Sequence, residues 1–188
     1  MALTTIDPKV ALLVVDLQTG LLGPTLNPAV EAIVERARAL IAAFREQDLP
    51  IVLINAAGSA PGRTEQPRRQ GGALPAGFTD FIPELGQRPH DMVVTKRTWG
   101  AFANTGLDQR LKAAGVTQVI VIGVATGTGV ESTARQVYEL GFNVTLAIDA
   151  MTDPRSEAHD YSLRCVFPRL GETGSSQEII DLLRTRRA

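Results

Sequence analysis

The chain has one cysteine, Cys165, and two histidines, His90 and His159. One thiol excludes an intramolecular disulfide framework, and so few soft ligands exclude the usual zinc clusters. Aromatic residues make up 5% of the sequence, too few for a base-stacking platform. Neither sign of charge dominates. The 19 Lys and Arg against 20 Asp and Glu leave a formal net charge of −1, which excludes a nucleic-acid-binding stripe or an acidic tail at the level of the whole chain. No apolar run approaches the roughly 18 residues of a membrane span. The opening segment, Met1 to Asp7, has neither the basic region nor the apolar core of a secretory signal. The expectation is a cytoplasmic globular protein that contacts neither nucleic acid nor membrane. Its 188 residues, 44% of them hydrophobic, suffice for one substantial core, so residues 1–188 read as a single domain.

What is present alternates. Ala11-Leu-Leu-Val-Val15, Ile51-Val-Leu-Ile54, Met92-Val-Val-Thr95, Gln118-Val-Ile-Val-Ile122 and Asn143 to Ile148 are short apolar runs, the pattern of strands buried on both faces. Leu163 to Phe167 is a sixth candidate, which would make Cys165 a small buried hydrophobe. Between them lie helical patterns. Val30, Ile33, Val34, Ala37, Leu40, Ile41 and Phe44 recur at spacings of three and four, preceded by Asn27 as N-cap and Pro28 at the first helical position. Leu107 to Ala114 forms a short helix closed by Gly115, and Val130, Ala134, Val137 and Tyr138 form a helix face ended by Gly141. Ser175 and Glu178 form a capping-box pattern before Ile179, Ile180, Leu182 and Leu183. Residues 56–90 differ, holding six glycines and five prolines and no sustained period. A segment of that kind in a compact domain reads as a functional, lid-like insertion, with a disordered linker as the alternative; Arg63, Arg68 and Arg69 read as its solubilising charge, with contact to a substrate carboxylate as the alternative.

Strands that are continuously apolar and alternate with helices predict a parallel sheet covered on both sides. Ligands of such sheets bind outside the carboxyl ends of the strands. Asp16 follows the first strand, Asn55 the second, Lys96 the third and Asp149 the fifth, while the fourth runs into Gly123-Val-Ala-Thr-Gly-Thr-Gly129. An acid, a base and a glycine-rich helix start therefore share one rim. Gly123, Gly127 and Gly129 do not have the spacing of a dinucleotide fingerprint or a phosphate loop. Backbone N–H groups there would suit a carboxylate or an oxyanion.

Three stretches, Ala11 to Gln18, Val94 to Phe102 and Gly123 to Ala134, resemble the isochorismatase-like hydrolases, the cysteine hydrolase superfamily, and the similarity continues through Asp149-Ala-Met-Thr-Asp153. The resemblance implies a three-layer α/β/α sandwich with a six-stranded, Rossmann-like parallel sheet, assembled as a homodimer or higher oligomer. It further implies a catalytic aspartate, lysine and cysteine. Asp16 and Lys96 match the first two, and the position of the third is Gly129. Without a thiol beside Asp16, a thioester route is not expected. Two routes remain: protonation of a vinyl ether such as isochorismate by Asp16, or Asp16 acting as general base on water attacking a small amide or ester. In the second, Lys96 and backbone amides near Ala125 and Gly129 would receive the oxyanion. Ala125, Thr126, Trp99 and Phe102 are the expected substrate-binding residues. The resemblance also implies a non-proline cis bond around Val124-Ala125. Some relatives carry an aspartate–x–histidine pair after the second strand, but this chain reads Asn55-Ala-Ala-Gly58, so neither metal nor organic cofactor is expected. The alternative is a family member that lost its activity with its thiol and acts as a small-molecule-binding or structural protein.

Overall fold

The computed structural model describes residues 3–22, 26, 29–65 and 73–185. Five of the apolar runs become strands: β1 (Val10–Val15), β2 (Ile51–Ala56), β3 (Met92–Lys96), β4 (Gln118–Val124) and β5 (Asn143–Thr152). A short β6 (Glu172–Gly174) completes a sheet in the order β3-β2-β1-β4-β5-β6, every pair parallel. Alternate residues of β1 serve opposite faces. Val10, Leu12 and Val14 pack with helix α1 (Val30–Arg45) and helix α5 (Ser176–Thr185). Ala11, Leu13 and Val15 pack with α2 (Leu107–Ala113) and α3 (Glu131–Glu139). Two apolar cores on either side of one sheet give the three layers α/β/α.

The order of strands reverses direction between β1 and β4, where Val15 pairs with Gly123. At such a switch point the chain leaves the sheet in opposite directions, and a crevice opens at the strands' carboxyl ends. Gly123 is required there. It has φ of 120°, and a Cβ would run into the Val15 carbonyl oxygen.

Several local expectations are corrected. Leu163 to Phe167 is helical, continuing α4 (Ser156–Tyr161) through a wider turn at Ser162–Val166 and a tight one at Phe167–Arg169. Its buried residues are Ser162, Val166 and Phe167, a helical spacing rather than a strand's alternation. Cys165 is consequently exposed. Tyr138 is 54% exposed, and the buried face of α3 holds Thr133, Ala134 and Val137. Asn27 and Pro28 lie outside the described residues, and α1 begins at Val30 after Ala29. Asp149 is not on the rim. A register shift between Val121 and Gly123 takes up extra residues in β5, so the strand ends four residues later, at Thr152, and Asp153 takes the rim position. Asp149 instead accepts from Ser176 N and Oγ at the start of α5. The Ser175–Glu178 box forms as expected, with Ser175 N at 2.6 Å from Glu178 Oε2 and Glu178 N at 3.2 Å from Ser175 Oγ.

Part of the 56–90 segment is tied to the sheet. Gln18 Nε2 donates to the carbonyls of Ala56 and Phe78, Asn55 Nδ2 donates to Thr79, and Thr19 N donates to Asp80. Arg63 is exposed, whereas Arg68 and Arg69 fall outside the described residues.

Candidate active site

Asp16 is the first residue beyond β1 and sits at φ 55°, a left-handed conformation that aspartate tolerates better than most residues. Its backbone N–H donates to Ile54 O, which anchors the turn to β2. The side chain is buried, 4% exposed for the residue as a whole. Lys96 is the last residue of β3, two strands away, and its long side chain crosses the end of β2 to place Nζ at 2.7 Å from Asp16 Oδ2. The same ammonium donates to Trp99 O at 2.8 Å and to Thr98 O at 3.4 Å. Three donors thus meet three acceptors.

The other carboxylate oxygen, Asp16 Oδ1, is buried and has no hydrogen-bond partner within the described residues. Burial, which penalises the charged carboxylate, is the largest influence on Asp16. The Lys96 charge and hydrogen bond oppose it. The outcome is a pKa raised to about 6.

Gly129 approaches the same carboxyl oxygen that Lys96 binds. A Cβ added there would lie 3.0 Å from Asp16 Oδ2, 3.1 Å from Val124 O and 3.3 Å from Val15 Cγ1. Gly129 belongs to the wide turn Thr126–Val130 that leads into α3, entered through a cis peptide bond between Val124 and Ala125. The turn is held from behind. Asp153 Oδ2 accepts from Gly127 N at 2.8 Å, and Thr126 Oγ1 lies 2.8 Å from His159 Nδ1. Desolvation is the main cause that lowers the His159 pKa, and Asp160 and Asp153 oppose it.

A cavity of about 380 Å³ opens over these groups, within the usual size of small-molecule sites. Asp16, Lys96, Trp99, Ala125 and Gly129 line it, as do Leu21, Leu26, Ser59, Thr128 and Pro154. Two residues expected to bind substrate are not among them. Phe102 is in the core beneath α3, and Thr126 is fully buried against His159. Sequence reasoning missed Asp153 and His159. Asp153 was visible at the end of the Asp149–Asp153 stretch, but the register shift that brings it to the rim leaves no local signal. His159 sits at one position of a short helix, and its burial depends on the turn packed above it. A larger hollow of about 500 Å³ beside the C-terminal half of α1 contains Arg38, Arg45, Glu84 and Arg88 and neither member of the buried pair.

Comparisons with known proteins agree with this architecture. A family model described as the isochorismatase domain matches residues 10–178. An uncharacterized isochorismatase family protein of Bacillus subtilis, YwoC, is 36% identical over 179 residues, covering 92% of this chain and 93% of the relative. Streptothricin hydrolase of Streptomyces noursei is 39% identical over 142 residues, 74% of this chain and 48% of the relative. The solved structure of an isochorismatase family protein from Burkholderia thailandensis superposes with a TM-score of 0.89 at 34% identity, covering 96% of this chain and 98% of the other.

Proposed function

This chain belongs to the isochorismatase family of hydrolases, and on that premise we propose that it hydrolyses a small molecule by acid–base chemistry at Asp16, without a covalent thiol intermediate. One observation carries the reading. The buried Asp16 carboxyl has one oxygen fixed by Lys96, the other unpartnered, and a pKa of about 6, near the value at which a carboxyl both gives and takes a proton effectively around neutrality. By resemblance the thiol of the family belongs at Gly129, and no cysteine is among the described residues that line the cavity.

For a vinyl ether, the proton of Asp16 moves to the terminal enol carbon and leaves an oxocarbenium ion. Water adds to the cationic carbon and returns its proton to the Asp16 carboxylate. Collapse of the resulting hemiketal breaks the C–O bond and gives a ketone and an alcohol. Lys96 positions the carboxyl and limits how far burial raises its pKa. The amide or ester route uses the same carboxyl in the opposite sense. Ionised Asp16 takes a proton from the attacking water, while the oxyanion forms near the amides of Ala125 and Gly129. The vinyl-ether reading is favoured because Lys96 has already committed its three N–H bonds and has none to polarise a carbonyl.

The test is the pH profile of kcat/KM on a panel of vinyl ethers, isochorismate included, and small amides and esters. An acid role predicts a rate that falls as pH rises through about 6. A base role predicts a rate that falls as pH drops through the same value. Binding without turnover of any class would identify the chain as a non-catalytic binding member and overturn the proposal.

A further inference from the structure

Resting on that reading of the site, we infer that Asp153 and His159 are positioning residues that hold the turn Thr126–Val130 down on Asp16 and so keep its carboxyl out of water. The turn has two working sides. Ala125, Thr128 and Gly129 line the cavity, and Gly129 comes so near Asp16 that an added Cβ would lie 3.0 Å from Oδ2. Thr126 and Gly127 are gripped from behind instead. Asp153 Oδ2 accepts from Gly127 N at 2.8 Å, and His159 Nδ1 lies 2.8 Å from Thr126 Oγ1. Gly127 also packs closely on α4, where a Cβ added to it would stand 3.0 Å from Ala158 Cβ.

The turn is closed by a bond from Val130 N to Ala125 O at 3.1 Å, a five-residue span that is rare in helices and recurs at functional sites. The arm that grips it is itself fixed. Asp153 is fully buried, and its Oδ1 accepts from Arg155 N at 2.9 Å. Beyond His159, Ser162 Oγ donates to Glu131 Oε2 at 2.7 Å, which ties α4 to α3, and Phe167 is buried in the core on that side of the sheet. Asp153 and His159 do not line the cavity, so each acts through the turn. Lifting the turn would admit water beside Asp16 Oδ1, which is buried without a partner. The Lys96 contact, arriving from β3, would stay in place. Water at a carboxyl favours its charged form.

The experiment follows the Asp16 carboxyl carbon by NMR as pH is varied, in the intact protein and in variants, and requires no substrate. Thr126→Val and His159→Leu break one contact from its two ends, and Asp153→Ala removes the acceptor of Gly127 N. Each should bring the Asp16 midpoint down from about 6 by about one pH unit, because renewed solvation returns the group toward its ordinary value. Thr126→Ser keeps the hydroxyl and should titrate as the parent does. Ser175→Ala, at the start of α5, supplies the comparison for lost stability alone and should leave the midpoint unmoved. On any substrate that the panel yields, the limb of the pH profile that reports Asp16 should move with the carbon signal. Variants that melt earlier yet titrate at the parent midpoint overturn the inference, as does a parent carboxyl that titrates in the ordinary aspartate range. If Asp153→Ala does not fold, the Thr126 and His159 variants decide. A failure of the catalytic reading shows separately, as Asp16→Asn retaining turnover while the carbon titration of the parent still responds to the three substitutions.

Discussion

Asp16 is held in a conflict between burial and a neighbouring cation. Burial wins, and the carboxyl's pKa stands at about 6 against an ordinary value of 3.8. Between those values the folded state keeps a proton that the unfolded chain has lost, so this group makes stability fall as pH rises from about 4 to about 6. The full loss is about 3 kcal/mol. Urea unfolding of the parent and of Asp16→Asn, compared at several pH values, should therefore show the variant gaining on the parent across that window. Turnover by Asp16→Asn should drop by about 10² to 10⁴ in kcat/KM, measured on whichever substrate of the panel the parent accepts. Lys96→Met removes the influence that lowers the Asp16 pKa. Its pH profile should shift upward from about 6, with a stability loss of about 3 kcal/mol at pH 8 that shrinks at pH 5, where Asp16 is protonated. Gly129→Ala brings a methyl to 3.0 Å from Asp16 Oδ2 and 3.1 Å from the backbone oxygen of Val124. The carboxyl must give way because the backbone does not, so activity should fall even where the thermal midpoint moves little.

At the level of elements, the termini of the helices show how local rules act. Ser175 closes the first turn of α5 through the reciprocal bonds with Glu178, which also hold the Glu178 carboxyl below its ordinary range. Ser175→Ala should cost about 1 kcal/mol, read as a lower thermal midpoint. This box was legible because both partners lie within one turn. So were five strands, each a short apolar-rich run that alternates with a helical pattern along the chain. Leu163 to Phe167 misled because five apolar-leaning residues look the same as strand or as buried helix. Only the packing of Val166 and Phe167, with Arg164 and Cys165 turned to solvent, separates the two. The exposed position has a chemical consequence: Cys165 should react with one equivalent of iodoacetamide in the folded protein, and turnover should be unaffected.

The whole molecule places its chemistry by topology. Asp16 and the turn carrying Gly129 follow neighbouring strands at the switch point, and Lys96 arrives from two strands away. Three residues separated by 80 and 33 positions in sequence thus meet because the sheet order brings their strand ends to one rim. That convergence could be read from the alternation of strands and helices, which fixes which ends of a parallel sheet share an edge. The register shift in β5 could not, because it depends on how Gly123 and Met151 align across two strands. The seats of Phe102 and Thr126 were equally hidden, since a residue next to a rim motif points into the cavity or away from it according to the turn it occupies.

The three acceptors around Lys96 also govern how its amine meets reagents. The chain has three lysines; Lys9 and Lys112 are exposed, whereas Lys96 is 2% exposed. Reductive methylation of the native protein should mark the first two and spare the third. In Asp16→Asn the amine loses the charged partner that pins it at 2.7 Å and is freer to turn toward the reagent. A methyl group appearing on Lys96 only in that variant would thus register, residue by residue, the electrostatic grip that one buried carboxyl exerts on its neighbour.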